Sequence, residues 1–97
     1  MGLGCVLIRS TILFTGSVQG VGFRATACSV ARRFDVEGGV QNQRDGSVKC
    51  IVEGDKGDVD HFIAALQGSM QGFITDTRIE ESAATGEFRG QGFEVWR

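Results

Sequence analysis

Proline is absent from this chain of 97 residues, against an ordinary usage of about five per cent, while glycine supplies 15. Turns must therefore be punctuated by glycine. Histidine occurs once, and the three cysteines, Cys5, Cys28 and Cys50, are an odd number with no close pair. That count fits neither a disulfide framework nor a zinc ligand set, so the expectation is reduced thiols in the cytoplasm and no metal. Long apolar runs are missing too. The opening Met1 to Ile8 has no basic region, stops at Arg9, and carries Val6 where a myristoylation signal needs Ser or Thr. It reads as a tail entering a strand, and no membrane association is expected. Charge of one sign is equally scarce: 10 Lys and Arg face 12 Asp and Glu, for a net charge of -2. No run of like charge exceeds the pairs Arg32-Arg33 and Glu80-Glu81, which excludes a surface built to coat nucleic acid.

What remains is the balance of a globular chain, 41% hydrophobic and 23% charged. The length predicts one domain over residues 1–97, with 1–8 as a tail; a monomer is expected, although length does not decide it. A chain this short buries only about two-thirds of its unfolded surface, which leaves little room for a large cofactor.

Thr11 to Thr15 is β-prone and stops at Gly16, and Gly20 and Gly22 then bracket a tight segment. From Phe23 the apolar residues fall at Phe23, Ala27, Val30, Ala31 and Phe34, one face of a helix whose last turn Arg32 and Arg33 suit. Val36 to Asn42 is extended, Arg44-Asp45-Gly46 is a hairpin turn, and Val48, Cys50 and Val52 alternate with Ser47, Lys49 and Glu53. Asp55 can cap a second helix with Val59, Phe62, Ile63 and Leu66 as its stripe and Gly68 as its end. Thr75 to Glu81 and Phe93 to Arg97 complete the strands. The order β-α-β-β-α-β, with an additional short C-terminal strand, predicts an α+β ferredoxin-like sandwich with two helices on one face of an antiparallel sheet.

The segment Gly16-Ser17-Val18-Gln19-Gly20-Val21-Gly22-Phe23-Arg24 carries the chemistry. Glycines at a strand-to-helix turn let successive N–H groups converge on one point, a nest for anions, and the first turn of the helix adds its own unpaired N–H groups. Arg24 is misplaced for a bare helix N-terminus, where a cation is disfavoured by about 0.3 to 1 kcal/mol, unless an anion lies between. A guanidinium fork can grip two phosphoryl oxygens at once.

At this point Val18-Gln19-Gly20-Val21-Gly22-Phe23-Arg24 resembles the signature of the acylphosphatase family. Gly38-Gly39-Val40-Gln41-Asn42 is similar to the family's second motif, and Asp45-Gly46-Ser47-Val48 to its hairpin. The resemblance implies hydrolysis of the carboxyl-phosphate bond of small acyl phosphates, with no cofactor. It implies a phosphoryl group held by Arg24 and the loop from Ser17 to Phe23, and water positioned by Asn42. Asn42 offers a carbonyl acceptor and two N–H donors, enough to orient water without acting as a base. A carboxylate is a good leaving group, so positioning and charge stabilisation can carry the reaction, and no catalytic histidine is needed. The chain departs from the family pattern at Ser17, where an Arg is frequent, and at Gly39, where a Trp is frequent. No proline precedes the fourth strand. The loss of an aromatic at position 39 predicts weaker packing.

Rival readings are weaker. Gly20-x-Gly22-x-x-Ala25 satisfies a dinucleotide fingerprint, but a doubly wound domain needs more βαβ units than this length holds. An RNA-recognition module shares the element order but stacks bases on aromatics that Ser47 to Glu53 lacks. His61 lies off its helix's apolar stripe and is given no role, Cys28 reads as a small core hydrophobe, and Trp96 either covers the opposite sheet face or is exposed. The connection holding Gly86, Gly90 and Gly92 reads as mobile. A phosphate- or carboxylate-binding regulatory module without catalysis stands as the alternative function.

Overall fold

A computed structural model describes residues 6–97. Cys5 and most of the opening tail lie outside the described residues. The element order is β1 (Leu7–Gly16), α1 (Phe23–Ala31), β2 (Val36–Asn42), β3 (Val48–Asp55), α2 (Lys56–Ser69), β4 (Ile74–Ala83) and β5 (Phe93–Val95). One sheet is formed in the order β4-β1-β3-β2-β5. Its first three pairings are antiparallel, and the added β5 runs parallel to β2.

Strand alternation sends Ile8, Ser10, Ile12 and Phe14 of β1 to the helix-bearing face together with Val48, Cys50 and Val52 of β3. Both helices press onto that face: Phe23, Ala27, Val30 and Ala31 from α1, and Val59, Phe62, Ile63 and Leu66 from α2. The predicted stripes are the buried ones, except that Phe34 lies beyond α1 and packs against the core from outside the helix.

Several boundaries differ from expectation for identifiable reasons. β1 starts at Leu7, so Leu7 and Ile8 belong to the sheet rather than to a tail: they pair with Asp55 and Gly54, and Ile8 is 5% exposed. α1 stops at Ala31, leaving Arg32 as its cap and Arg33 outside, where the Arg32 N–H donates to the Cys28 carbonyl at 3.3 Å. Asp55 caps α2 as expected, its carboxylate accepting from the Gly57 N–H at 3.0 Å. α2 runs past Gly68 to Ser69, and the left-handed turn is taken by Gly72 instead, with φ 95°.

The connection from Ala84 to Gly92 is anchored rather than loose. Glu53 points to the helix-free face, as its place in the alternation predicts, yet it is buried because this connection folds over it. Its carboxylate accepts from the Thr85 N–H at 3.0 Å, the Gly86 N–H at 2.9 Å and the Thr85 hydroxyl at 2.9 Å. Arg9 donates to Glu53 at 2.6 Å and also to Glu87, and its guanidinium lies 5.0 Å from the centre of the Phe88 ring. Phe88 packs on Trp96 with ring centres 5.4 Å apart. The glycines serve this path directly: Gly86, Gly90 and Gly92 have φ of 79°, 77° and 67°, which side-chain-bearing residues resist.

Trp96 covers the opposite face of the sheet. A Cβ at Gly39 would lie 2.2 Å from the Trp96 ring, so the indole occupies the space where a side chain at position 39 would stand. The expected packing loss at Gly39 is thereby corrected: the aromatic arrives from the last strand.

Candidate active site

The loop between β1 and α1 is fixed at both ends. Val18 is fully buried, and Phe23 packs on Phe14 with ring centres 5.0 Å apart. The Ser17 N–H donates to the Phe73 carbonyl at 2.9 Å. Gln19 turns its side chain away from the loop and donates to the carbonyls of Gln43 and Ser47 at 2.7 and 2.8 Å, tying the loop to the β2–β3 hairpin. Gly20 and Gly22 both have φ of 79°, and Gly22 is the N-cap of α1 without any side-chain cap. The first helical bond runs from the Thr26 N–H to the Gly22 carbonyl at 2.9 Å. Every N–H from Val18 to Ala25 lacks an acceptor among the described residues, which leaves the partial positive charge of the helix terminus unanswered.

Most residues of this stretch border an open cleft of about 430 Å³ lined by Val18, Gly20, Gly22, Phe23, Arg24, Ala25, Asn42, Val95 and Arg97. Asn42 ends β2 opposite Val48, half-buried, with no side-chain hydrogen bond among the described residues. Arg24 is exposed and forms no ion pair among them. No acidic side chain lines the cleft, and what meets there is two arginines, a carboxamide and a row of unpaired amides, a donor-rich hollow suited to an anion. A second concavity, on the helix-free face, is different in kind: about 350 Å³, with Asp45 and Glu80 beside Lys49 and Arg78.

Of the residues singled out in the sequence, Val18, Gly20, Gly22, Phe23, Arg24 and Asn42 come together at the cleft. Ser17, Gln19 and Val21 do not line it: the first two serve to fasten the loop, and Val21 is exposed. Val95 and Arg97 were missed. They reach the cleft because β5 lies parallel to β2, with Val95 opposite Val40 and the Trp96 N–H donating to the Val40 carbonyl at 2.8 Å. A strand pairing between distant segments leaves no local signature in the sequence. Cys28 and Cys50 do not line the cleft; burial raises the pKa of Cys28, despite the opposing influence of Arg32, and that of Cys50 as well.

No helix of the described residues is long and apolar enough to cross a membrane, and no group of three or more metal-ligating side chains occurs among them.

Comparison with known proteins identifies the family and the fold. A family profile described as acylphosphatase matches residues 10–95. An acylphosphatase of Paenarthrobacter aurescens is 40% identical over 82 residues, covering 84% of this chain and 87% of its own. One from Aeropyrum pernix is 41% identical over 91 residues, covering 92% and 88%. Among solved structures, the acylphosphatase from Bacillus subtilis superposes with a TM-score of 0.84 at 28% identity, over 93% of this chain and 99% of that one. A full-length HypF contains the same fold in 13% of its length, with a TM-score of 0.85 at 24% identity. The profile spans nearly the whole sheet and both helices, and the relatives match over most of their own length: the chain belongs to the acylphosphatase family.

Proposed function

We propose that the cleft hydrolyses acyl phosphates to a carboxylate and inorganic phosphate, with Arg24 and the loop amides holding the phosphoryl group and Asn42 placing the water. The observation that carries this reading is the meeting of Arg24, Asn42 and the unpaired N–H groups of the loop at one acid-free hollow.

The phosphoryl oxygens lie against the N–H groups that precede and open α1, where the helix terminus favours negative charge. The Arg24 fork spans two of those oxygens and answers the charge that builds on them as the bond to the carboxylate loosens. Asn42 holds water on the far side of phosphorus through its carbonyl and N–H groups. Water forms the new P–O bond as the bond between phosphorus and the acyl oxygen breaks. The electron pair leaves with the carboxylate, and the surplus proton passes to solvent. Because the leaving group departs as a stable anion, the chain needs no side chain to protonate it, and alignment plus electrostatic stabilisation carries the rate.

Phosphate release from benzoyl or acetyl phosphate, with EDTA present, tests the reading. Wild type is expected to turn over well above background, and Arg24→Ala and Asn42→Ala to lose activity while remaining folded by circular dichroism. Arg24→Lys is expected to fall nearly as far as Arg24→Ala, since an ammonium cannot reproduce a planar fork. Asn42→Ala should still bind inorganic phosphate. Equal loss of turnover and phosphate binding in that variant would make Asn42 a phosphate ligand. Phosphate binding without any turnover in wild type would make the chain an anion-binding module on this fold.

A further inference from the structure

Arg97 enters the cleft from β5, a part of the chain that the loop motif does not anticipate. Its backbone is fixed: Gln41 donates from its side chain to the Arg97 carbonyl at 2.8 Å, and the preceding residue is tied to Val40. Its guanidinium is exposed and makes no ion pair among the described residues, as is also true of Arg24. Arg9 is answered by Glu53 and Glu87 and Lys56 by Asp60 and Glu81, while the other cations of the described residues form no ion pair; what sets Arg24 and Arg97 apart is that they share one cleft. Two arginines without an ion pair among the described residues line one hollow that has no acidic side chain in its lining, on a chain whose net charge is -2.

Like charges sharing a hollow repel, and the arrangement becomes favourable when anions lie between them. One phosphoryl group is already matched by Arg24 and the loop amides. The cleft of about 430 Å³ lies within the range of about 300 to 1,000 Å³ typical of small-molecule sites, and so extends beyond a phosphoryl group.

We infer that Arg97 recognises a second anionic group on the acyl portion of the substrate, so that this site selects acyl phosphates bearing a further negative charge over those with a neutral acyl chain. The inference rests on the proposed seat of the phosphoryl group at the loop. Arg97 is a specificity-determining residue in this reading, and the bond-breaking step does not pass through it.

Binding of two non-hydrolysable phosphonates separates the possibilities. Propylphosphonate offers the phosphoryl-like head alone, and 3-phosphonopropionate adds a carboxylate at the other end. Calorimetric titration of wild type should give about tenfold tighter binding of the carboxylate-bearing compound, the size expected of one charge-assisted pair at a partly solvated site. Arg97→Gln should abolish that preference while moving propylphosphonate affinity by less than about twofold, and Arg97→Lys should retain part of it. Absence of the preference in wild type, or its survival in Arg97→Gln, overturns the inference. Equal weakening of both compounds by Arg97→Gln also overturns it, since Arg97 would then grip the phosphoryl head. If wild type shows the preference and Arg97→Gln loses it, but wild type hydrolyses neither acetyl phosphate nor the carboxylate-bearing succinyl phosphate, the hydrolytic reading falls and the role of Arg97 as an anion ligand stands. If neither phosphonate binds, both fall.

Discussion

Replacing Glu53 by Gln should strip the protein of a pH-dependent part of its stability. Burial by itself pushes the Glu53 carboxyl up, but the Arg9 guanidinium, the N–H groups of Thr85 and Gly86 and the Thr85 hydroxyl outweigh it and hold the pKa at about 2, against an ordinary 4.5. A carboxylate depressed in the folded state contributes fully above its unfolded pKa. Its contribution is lost as pH falls from about 4.5 through 2. The full depression corresponds to at most about 3 kcal/mol. The Arg9 side chain is 19% exposed, and its other partner Glu87 is 59% exposed, so solvent screening trims the expected loss to about 1 to 2 kcal/mol. Urea denaturation at pH 7, 5, 4, 3 and 2 reads it directly. Wild type and Glu53→Gln should differ by that amount at pH 7 and converge towards pH 2, the variant showing the flatter profile. Parallel curves over the whole range would refute the assignment of acid sensitivity to this carboxylate, and a difference below about 0.5 kcal/mol at pH 7 would mean that the connection over Glu53 holds itself in place.

Gln19→Met keeps the side-chain length but removes both hydrogen bonds to the β2–β3 hairpin, so it should lower unfolding free energy by about 1 to 2 kcal/mol and raise KM for acetyl phosphate, seen in urea melts and initial rates. Gly22→Ala meets no neighbouring atom, yet its φ of 79° strains any side chain by about 1 to 2 kcal/mol; thermal melting should report that cost and phosphate release a lower kcat/KM. Asp55→Ala removes the cap of α2, far from the cleft, and should cost about 1 kcal/mol in denaturation without changing turnover.

The fold was legible because its elements announce themselves locally. Phe23, Ala27, Val30 and Ala31 repeat with helical spacing, and Val48, Cys50 and Val52 with strand spacing, and each set is buried where that spacing requires. Asp55 marked a helix start through a hydrogen bond made only two residues away. Within the site, Gly20, Gly22 and Arg24 could be read because loop and helix terminus are contiguous in sequence. Arg97 could not, since its approach to Asn42 depends on a parallel pairing between segments far apart in the chain. The same holds for the Glu53 cluster: alternation gave the correct face, but nothing near residue 53 reveals that Thr85 and Gly86 return to cover it. The glycines of that return path look permissive in sequence. In space they are what lets the backbone bend onto a carboxylate.

The indole above Gly39 links two positions that a reader of aligned sequences would treat as separate. A bulky residue introduced at 39 while Trp96 remains would collide with the ring, and a small residue at 96 while Gly39 remains would leave the sheet bare there. Neither substitution is neutral in the other's background, although the two made together restore the same filled volume. A change at either position of this chain is therefore conditional on the residue at the other, and moving the aromatic from 96 to 39 one substitution at a time passes through a poorly packed protein.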